Sequence, residues 1–214
     1  MTADAGAPSL KEAFAEHAAA AGAVVHGGVG AADVLPLVER LVRETGTRRV
    51  LAWAAECLPV ADLWSRLEAA GLVLVMPDIG AARERRAALQ SLDDAAAGVT
   101  GAVAALADTG TLVLASGRGR ARLALLLPTR HIALLDTRVI HADMASFFAD
   151  PAQAASRDAA HLAFVTGPSR TADIELTMTR GVHGPRELHI VCVETGGAPA
   201  AYVPPEIARH EIGA

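Results

Sequence analysis

Short apolar runs alternate along the chain with segments in which apolar residues recur every three or four positions. The first pattern belongs to strands, the second to helices packed on one face. Ser9–Ala21 reads as a helix, with Ser9 as N-cap and Glu12 placed to complete a capping box. Ala23–His26 is a short strand. Asp33–Thr45 is helical, with Val34, Leu37, Val38, Leu41 and Val42 on one face and Gly46 closing it. Strand Arg49–Ala54 and helix Ala61–Ala70, stopped by Gly71, come next. Leu72–Met76 is apolar throughout, as a strand buried on both faces would be.

The spacing then predicts a helix over Ala81–Ala97, with Arg83, Glu84, Arg85 and Arg86 on a solvated face. Val99 to Ala107 satisfies both rules, because its alanines favour helix and its position favours strand. Thr111–Ala115, His131–Leu135, Leu162–Thr166 and Glu187–Glu194 read as strands. Arg120–Leu127, Ile140–Ala149 and Ala172–Thr179 read as helices. This alternation implies an α/β fold, a mostly parallel sheet flanked by helices. The chain divides as one domain over 1–214: an N-terminal helix in 1–22, an α/β core over 23–195 and an irregular, proline-bearing tail over 196–214.

Composition narrows the function classes. A length of 214 residues with 52% hydrophobic positions suits one well-packed domain. A net charge of −5 argues against a nucleic-acid partner. Lys11 is the single lysine, which argues against polybasic membrane anchoring. No apolar run approaches the roughly 20 residues of a membrane span, and the N-terminus lacks the basic region of a signal peptide. The expected setting is soluble and cytoplasmic. Cys57 and Cys192 are far apart and outside any CxxC pair, so they read as core residues and leave the chain without a cysteine cage for a cluster of its own. The histidines show no paired ligand spacing, and no metal site is expected.

Ligands of open α/β sheets bind beyond the carboxyl ends of strands, which directs attention to strand-end loops. Gly27-Gly28-Val29-Gly30 has the glycines of a ligand-approaching turn but lacks the third glycine of a dinucleotide fingerprint. Asp108-Thr109-Gly110-Thr111 puts a carboxylate and two hydroxyls in one turn. Ser116-Gly117-Arg118-Gly119-Arg120-Ala121-Arg122 offers guanidinium groups and free amides to a carboxylate or phosphate. Thr166-Gly167-Pro168-Ser169-Arg170-Thr171 leads into Asp173 and Glu175, and Gly181-Val182-His183-Gly184-Pro185 follows. His183 is matched to proton transfer near neutral pH. A tight turn or an exposed basic loop accounts for each of these segments as well.

Ala107–Leu114, Leu127-Pro128-Thr129-Arg130-His131-Ile132, Thr166–Glu175 and Gly181–Pro185 occur in that order. Together they resemble the LUD (lactate utilisation) domain family in its short lactate utilisation protein C, or YkgG-like, form. The resemblance implies a fold like that of the ribose-5-phosphate isomerase, glucosamine-phosphate deaminase and CoA-transferase (NagB/RpiA/CoA transferase-like) superfamily. It also implies a role in bacterial lactate oxidation to pyruvate, beside partner proteins that carry the iron–sulfur clusters, with no cofactor held by this chain. The family's turn often reads Glu-Thr-Gly-Thr, so Asp108 keeps the carboxylate one methylene shorter.

On this basis Asp108, His183, Asp173 and Glu175 are candidates for acid–base work. Thr109, Gly110, Thr111, Arg118, Arg122, Thr166, Gly167, Ser169, Arg170, Thr171 and Gly184 are candidates for holding a small anion. Three functions compete: a lactate-oxidation component, a stand-alone enzyme or binder acting on a phosphorylated sugar or acyl-CoA, and a non-enzymatic binding module. Self-association is left open.

Overall fold

The computed structural model describes residues 8–77, 89–90, 92, 94–153, 159–172, 178–180 and 183–195. Helix α1 (Leu10–Ala20) carries the expected capping box: Ser9 Oγ accepts from the Glu12 amide, and the Glu12 carboxylate accepts from the Ser9 amide. Its Phe14 and Ala18 are fully buried. Then come β1 (Val24–Gly30), α2 (Ala31–Arg43), β2 (Arg49–Ala52), a 3-10 turn over Ala55–Cys57, α3 (Leu63–Ala69) and β3 (Val73–Val75). The chain continues with β4 (Ala97–Gly101), β5 (Ala104–Leu106), β6 (Thr111–Ser116), α4 (Leu123–Leu126), β7 (Arg130–Asp136), β8 (Ile140–His141) and α5 (Met144–Ala149). It closes with β9 (His161–Val165), β10 (Arg170–Ala172), β11 (Met178–Arg180) and β12 (Glu187–Glu194).

Six strands form one parallel sheet in the order β1-β12-β7-β4-β2-β3. Its central strands β4, β7 and β12 are buried almost end to end. Helices flank it: α2 packs on β1 and β12, α3 on β3, and α4 on β4. The expected parallel α/β architecture is therefore present. A second sheet, β8-β5-β6-β9, is mixed, with β5/β6 and β6/β9 antiparallel.

Four expectations change. The 72–76 run is an edge strand, not a doubly buried one: β3 pairs with β2 alone and Val73 is 55% exposed. At its described ends the helix expected over Ala172–Thr179 is strand instead: β10 and β11 pair antiparallel with Thr171 opposite Thr179, β-branched residues that favour extended backbone. Asp173 and Glu175, placed by sequence in the first turn of that helix, lie outside the described residues. Ile140–Ala149 splits into β8 and α5, because Asp143 starts a new capping box with Ser146. The 81–97 helix lies outside the described residues over 81–88 and at 91 and 93; residues 89–90 are helical as expected, and its end at Ala97 belongs to β4. The ambiguous 99–107 segment resolves into the end of β4 and all of β5.

The chain leaves β2 toward β3 on one side and leaves β4 toward β7 on the other. The crevice between the carboxyl ends of β2 and β4 is thus the topological switch point, where parallel sheets of this kind bind ligands.

Candidate functional site

A cavity of about 150 Å3 opens at that crevice. Trp53 continues β2, donating its amide to Val99 O at 3.1 Å and its indole Nε1–H to Ala121 O at 3.2 Å. The Arg120 guanidinium lies 5.9 Å from the centroid of its ring, a cation–π distance. Arg120 is 6% exposed and lines the cavity with Trp53. A tight turn holds it: Gly117 and Arg120 exchange backbone bonds of 2.9 and 3.1 Å, and Gly119 sits at φ +72°. The Ala54 amide donates to Gly119 O at 2.7 Å, which ties the arginine loop to the end of β2.

Gly101 closes β4 without a side chain because a Cβ there would come within 2.6 Å of Cys57 O. Cys57 is half-buried on the cavity wall, a departure from the core position expected for it. Burial pushes its thiol up, against the pull of nearby Arg120. Cys192 is buried, and burial pushes it to about 11.

Asp136 ends β7 at the same cavity. Burial alone would raise its carboxyl, but the Arg138 side chain and amide and the Thr195 hydroxyl outweigh that and hold it below the usual range. Arg138 Nε donates at 2.9 Å and Thr195 Oγ1 at 3.0 Å. Arg120 shares this lining with the carboxylates of Glu56 and Asp136, the latter compensated by Arg138 and Thr195, and a guanidinium is suited to a small carboxylate or phosphate.

The opposite end of the sheet gathers most of the sequence motifs. A chain of hydroxyls runs from the rim to a carboxylate. Thr166 meets Thr111 at 2.6 Å, Thr111 donates to Thr109 at 2.8 Å, and Thr109 donates to Asp108 Oδ1 at 3.0 Å. Gly110 (φ +64°) seats this turn on α1, where a Cβ would lie 2.1 Å from the Ala18 nitrogen. His17 adds a bond from Nδ1 to Ala107 O at 2.7 Å. Gly167 (φ +80°) also packs tightly on α1, where a Cβ would lie 2.4 Å from Ala21 O, and the Arg170 guanidinium donates to that same carbonyl at the end of α1. The Ser169 amide donates to Pro185 O at 2.9 Å, clamping the two late motifs together. Thr166, Gly167, Ser169, His183 and Gly184 line a second cavity of about 230 Å3, which has His131 in its wall.

The structure thus separates the candidates. Asp108, Thr109, Gly110, Thr111, Thr166, Gly167, Ser169, Arg170, His183 and Gly184 lie around the seat of α1 and the second cavity. Arg118 and Arg122 are exposed on either side of Arg120 at the switch point. Thr171 is paired in β10. The Gly27–Gly30 segment is the bulged end of β1, with Gly30 as N-cap of α2.

Sequence reasoning named the arginine loop but missed Trp53 and Asp136. Both stand at the ends of predicted strands, where the strand-end rule would have found them once strand order was known. Among the described residues no three His, Cys, Asp or Glu side chains converge as a metal cage would require, and no helix is long and apolar enough to cross a membrane.

A family model described as the LUD domain matches residues 11–193. The chain is 29% identical over 160 residues to "Lactate utilization protein C" of Halalkalibacterium halodurans, covering 73% of this chain and 67% of that one. It is 32% identical over 151 residues to the protein of that name from Exiguobacterium sp., covering 68% and 57%. The chain thus spans between 57% and 67% of the length of these two curated relatives. A crystal structure of a duf162 family protein from Deinococcus radiodurans superposes with a TM-score of 0.60 at 24% identity, covering 86% of this chain and 96% of that one. That likeness speaks to the fold.

Proposed function

The chain belongs to the LUD domain family, and from that premise we propose that it serves lactate utilisation by holding a small 2-hydroxy or 2-oxo carboxylate at the switch-point cavity. The observation that carries this reading is the buried Arg120 guanidinium, fixed on Trp53 between the ends of β2 and β4. A guanidinium offers paired N–H groups in the geometry of a carboxylate, and burial strengthens that bond over one made in water. The cavity of about 150 Å3 is well below the roughly 300–1,000 Å3 of sites for drug-sized ligands, which favours a molecule of a few heavy atoms. In this reading lactate gives up two electrons and two protons on becoming pyruvate. The chain contributes the organic-acid site, and iron–sulfur partner proteins carry the electrons. The names of the curated relatives support the setting.

Titration calorimetry with L-lactate, pyruvate, a sugar phosphate and an acyl-CoA tests it. Binding of the two carboxylates, weakened about 10–100-fold in Arg120→Gln and less in Arg120→Lys, is expected. Binding of the phosphate or the acyl-CoA in their place, or carboxylate binding that ignores Arg120, would overturn it. Affinity purification from lactate-grown cells should bring down iron–sulfur proteins, and deletion of the gene should slow growth on L-lactate.

A further inference from the structure

The second cavity has a different chemistry from the first. It holds about 230 Å3 and lies at the amino ends of β7 and β12. Leu125, Leu126, Pro168, Pro185 and Leu188 make up much of its wall. Phe164 adds an aromatic ring that is 38% exposed, in a chain with four phenylalanines. Among the described residues no Arg, Lys, Asp or Glu lines it. A charged guest would lose its hydration there with no described side chain to compensate.

The polar groups in the wall are uncharged or adaptable. His131 is 1% exposed, and its Nε2 meets Thr100 Oγ1 at 2.8 Å. Burial pushes its pKa down to about 4, so the imidazole is neutral near pH 7 and serves as a hydrogen-bond partner without bringing charge. Thr166, Ser169 and His183 supply further hydrogen-bonding groups. The pocket is held in shape by the Ser169–Pro185 backbone bond and by Gly184, where a Cβ would come within 3.2 Å of Ser169 Cβ.

We propose that this cavity is a second ligand site, distinct from the carboxylate site, and that it takes a neutral, ring-sized molecule, apolar apart from a hydroxyl or carbonyl that bonds His131, Ser169 or Thr166. Three isosteric probes test it by NMR titration near neutral pH: benzyl alcohol, benzoate and benzylammonium. Benzyl alcohol is expected to bind, shifting resonances of His131 and Phe164, and the two ions to bind roughly tenfold or more weakly. Leu126→Trp, which fills the space, and Phe164→Ala, which removes an exposed wall, should each weaken benzyl alcohol binding. The second variant keeps the test sound if the first fails to fold. In Arg120→Gln, benzyl alcohol binding should persist whether or not lactate binding is lost, which separates this site from the first. No binding of benzyl alcohol, benzoate binding as tight as the alcohol, or unchanged binding in both cavity variants overturns the proposal.

Discussion

Strand β7 carries His131 next to its start and Asp136 at its end, and these residues characterise the two ends of the parallel sheet. At the amino end a histidine is kept neutral among apolar side chains. At the carboxyl end a carboxylate is kept charged by Arg138 and Thr195, beside a guanidinium stacked on an indole. One sheet thus offers a pocket whose described lining has no Arg, Lys, Asp or Glu and a pocket lined by charge, and helix α1 reaches both ends. Its Ala18 and Ala21 receive the motif glycines, and Lys11 pairs with Glu194 at the far end of β12. The lesson is that the motif-bearing loops are built largely around docking α1, whereas the switch point is built around charge.

The sharpest way to break the comparison is to replace one left-handed glycine at each end with alanine. Gly110→Ala carries the left-handed backbone cost and also drives a Cβ into α1 backbone, 2.1 Å from the Ala18 nitrogen, where nothing can yield locally. A loss of about 3–4 kcal/mol in urea unfolding is expected. Gly119→Ala carries the same backbone cost but meets only Ala54 Cβ and Cys57 Sγ, at 3.2 and 3.3 Å, contacts that need a few tenths of an ångström of give rather than a displaced backbone. About 1–2 kcal/mol is expected there. Equal losses would show that the seat of α1 is no more rigid than the switch point.

Acid should weaken the two ends in sequence. The folded His131 titrates at about 4 against an ordinary 6.5, so below pH 6.5 the unfolded chain takes up a proton that the folded chain refuses. Stability therefore falls as pH drops from about 6.5 to about 4, by roughly 3 kcal/mol for this group. His26 and His189, lowered first by burial and then by Arg40 and Arg130 respectively, act in the same direction. Asp136 acts in the same direction but at lower pH. Its contribution is present above the ordinary 3.8 and is lost as pH falls through its lowered value. Denaturation series across pH check both phases, and the double variant Thr100→Val/His131→Leu, which removes the buried pair together, should flatten the first.

The sequence carried the fold class because central strands such as His131–Leu135 are apolar runs that need no partner to be recognised, and the capping box of α1 is local. Edges and hairpins were less legible. Leu72–Met76 has the composition of a buried strand, and nothing within five residues says that β3 has one neighbour. Thr171 and Thr179 meet through pairing that a helical reading of the intervening residues hides. The motifs were visible as motifs, but their division between two ends of the sheet depends on strand order. Arg120 shows the same limit. It stands between Arg118 and Arg122 in a loop that reads as uniformly basic, and only its contact with Trp53, 67 positions earlier in the numbering, singles it out.

That contact sets the next effect. Arg120→Gln should weaken carboxylate binding by about 10–100-fold, the range for losing one charge-assisted bond. Trp53→Leu, which keeps an apolar residue beneath the guanidinium but removes the π face, should cost less, about 1 kcal/mol or several-fold in Kd. Calorimetry on both variants ranks them. A larger effect from Trp53 would make the switch point an apolar site as well and erase the contrast between the ends.

The smallest effect concerns the two ends of α1. Lys11 and Glu194 form an exposed pair, 38% and 52% accessible, of a class worth about 0–1 kcal/mol and weakened by salt. Glu194→Gln should therefore change unfolding stability by less than about 0.5 kcal/mol, and less still in high salt. Gly110→Ala acts on the same helix with several times that effect, so α1 is held firmly in its last two turns and loosely in its first. Ser9 and Glu12 stabilise that first turn only locally, through the capping box. Hydrogen exchange should accordingly show Ala13 opening more readily than Ala18, and Glu194→Gln should speed exchange near Lys11 while leaving Ala18 unchanged. Uniform protection along α1 would mean that the helix is anchored equally at the charged end of the sheet.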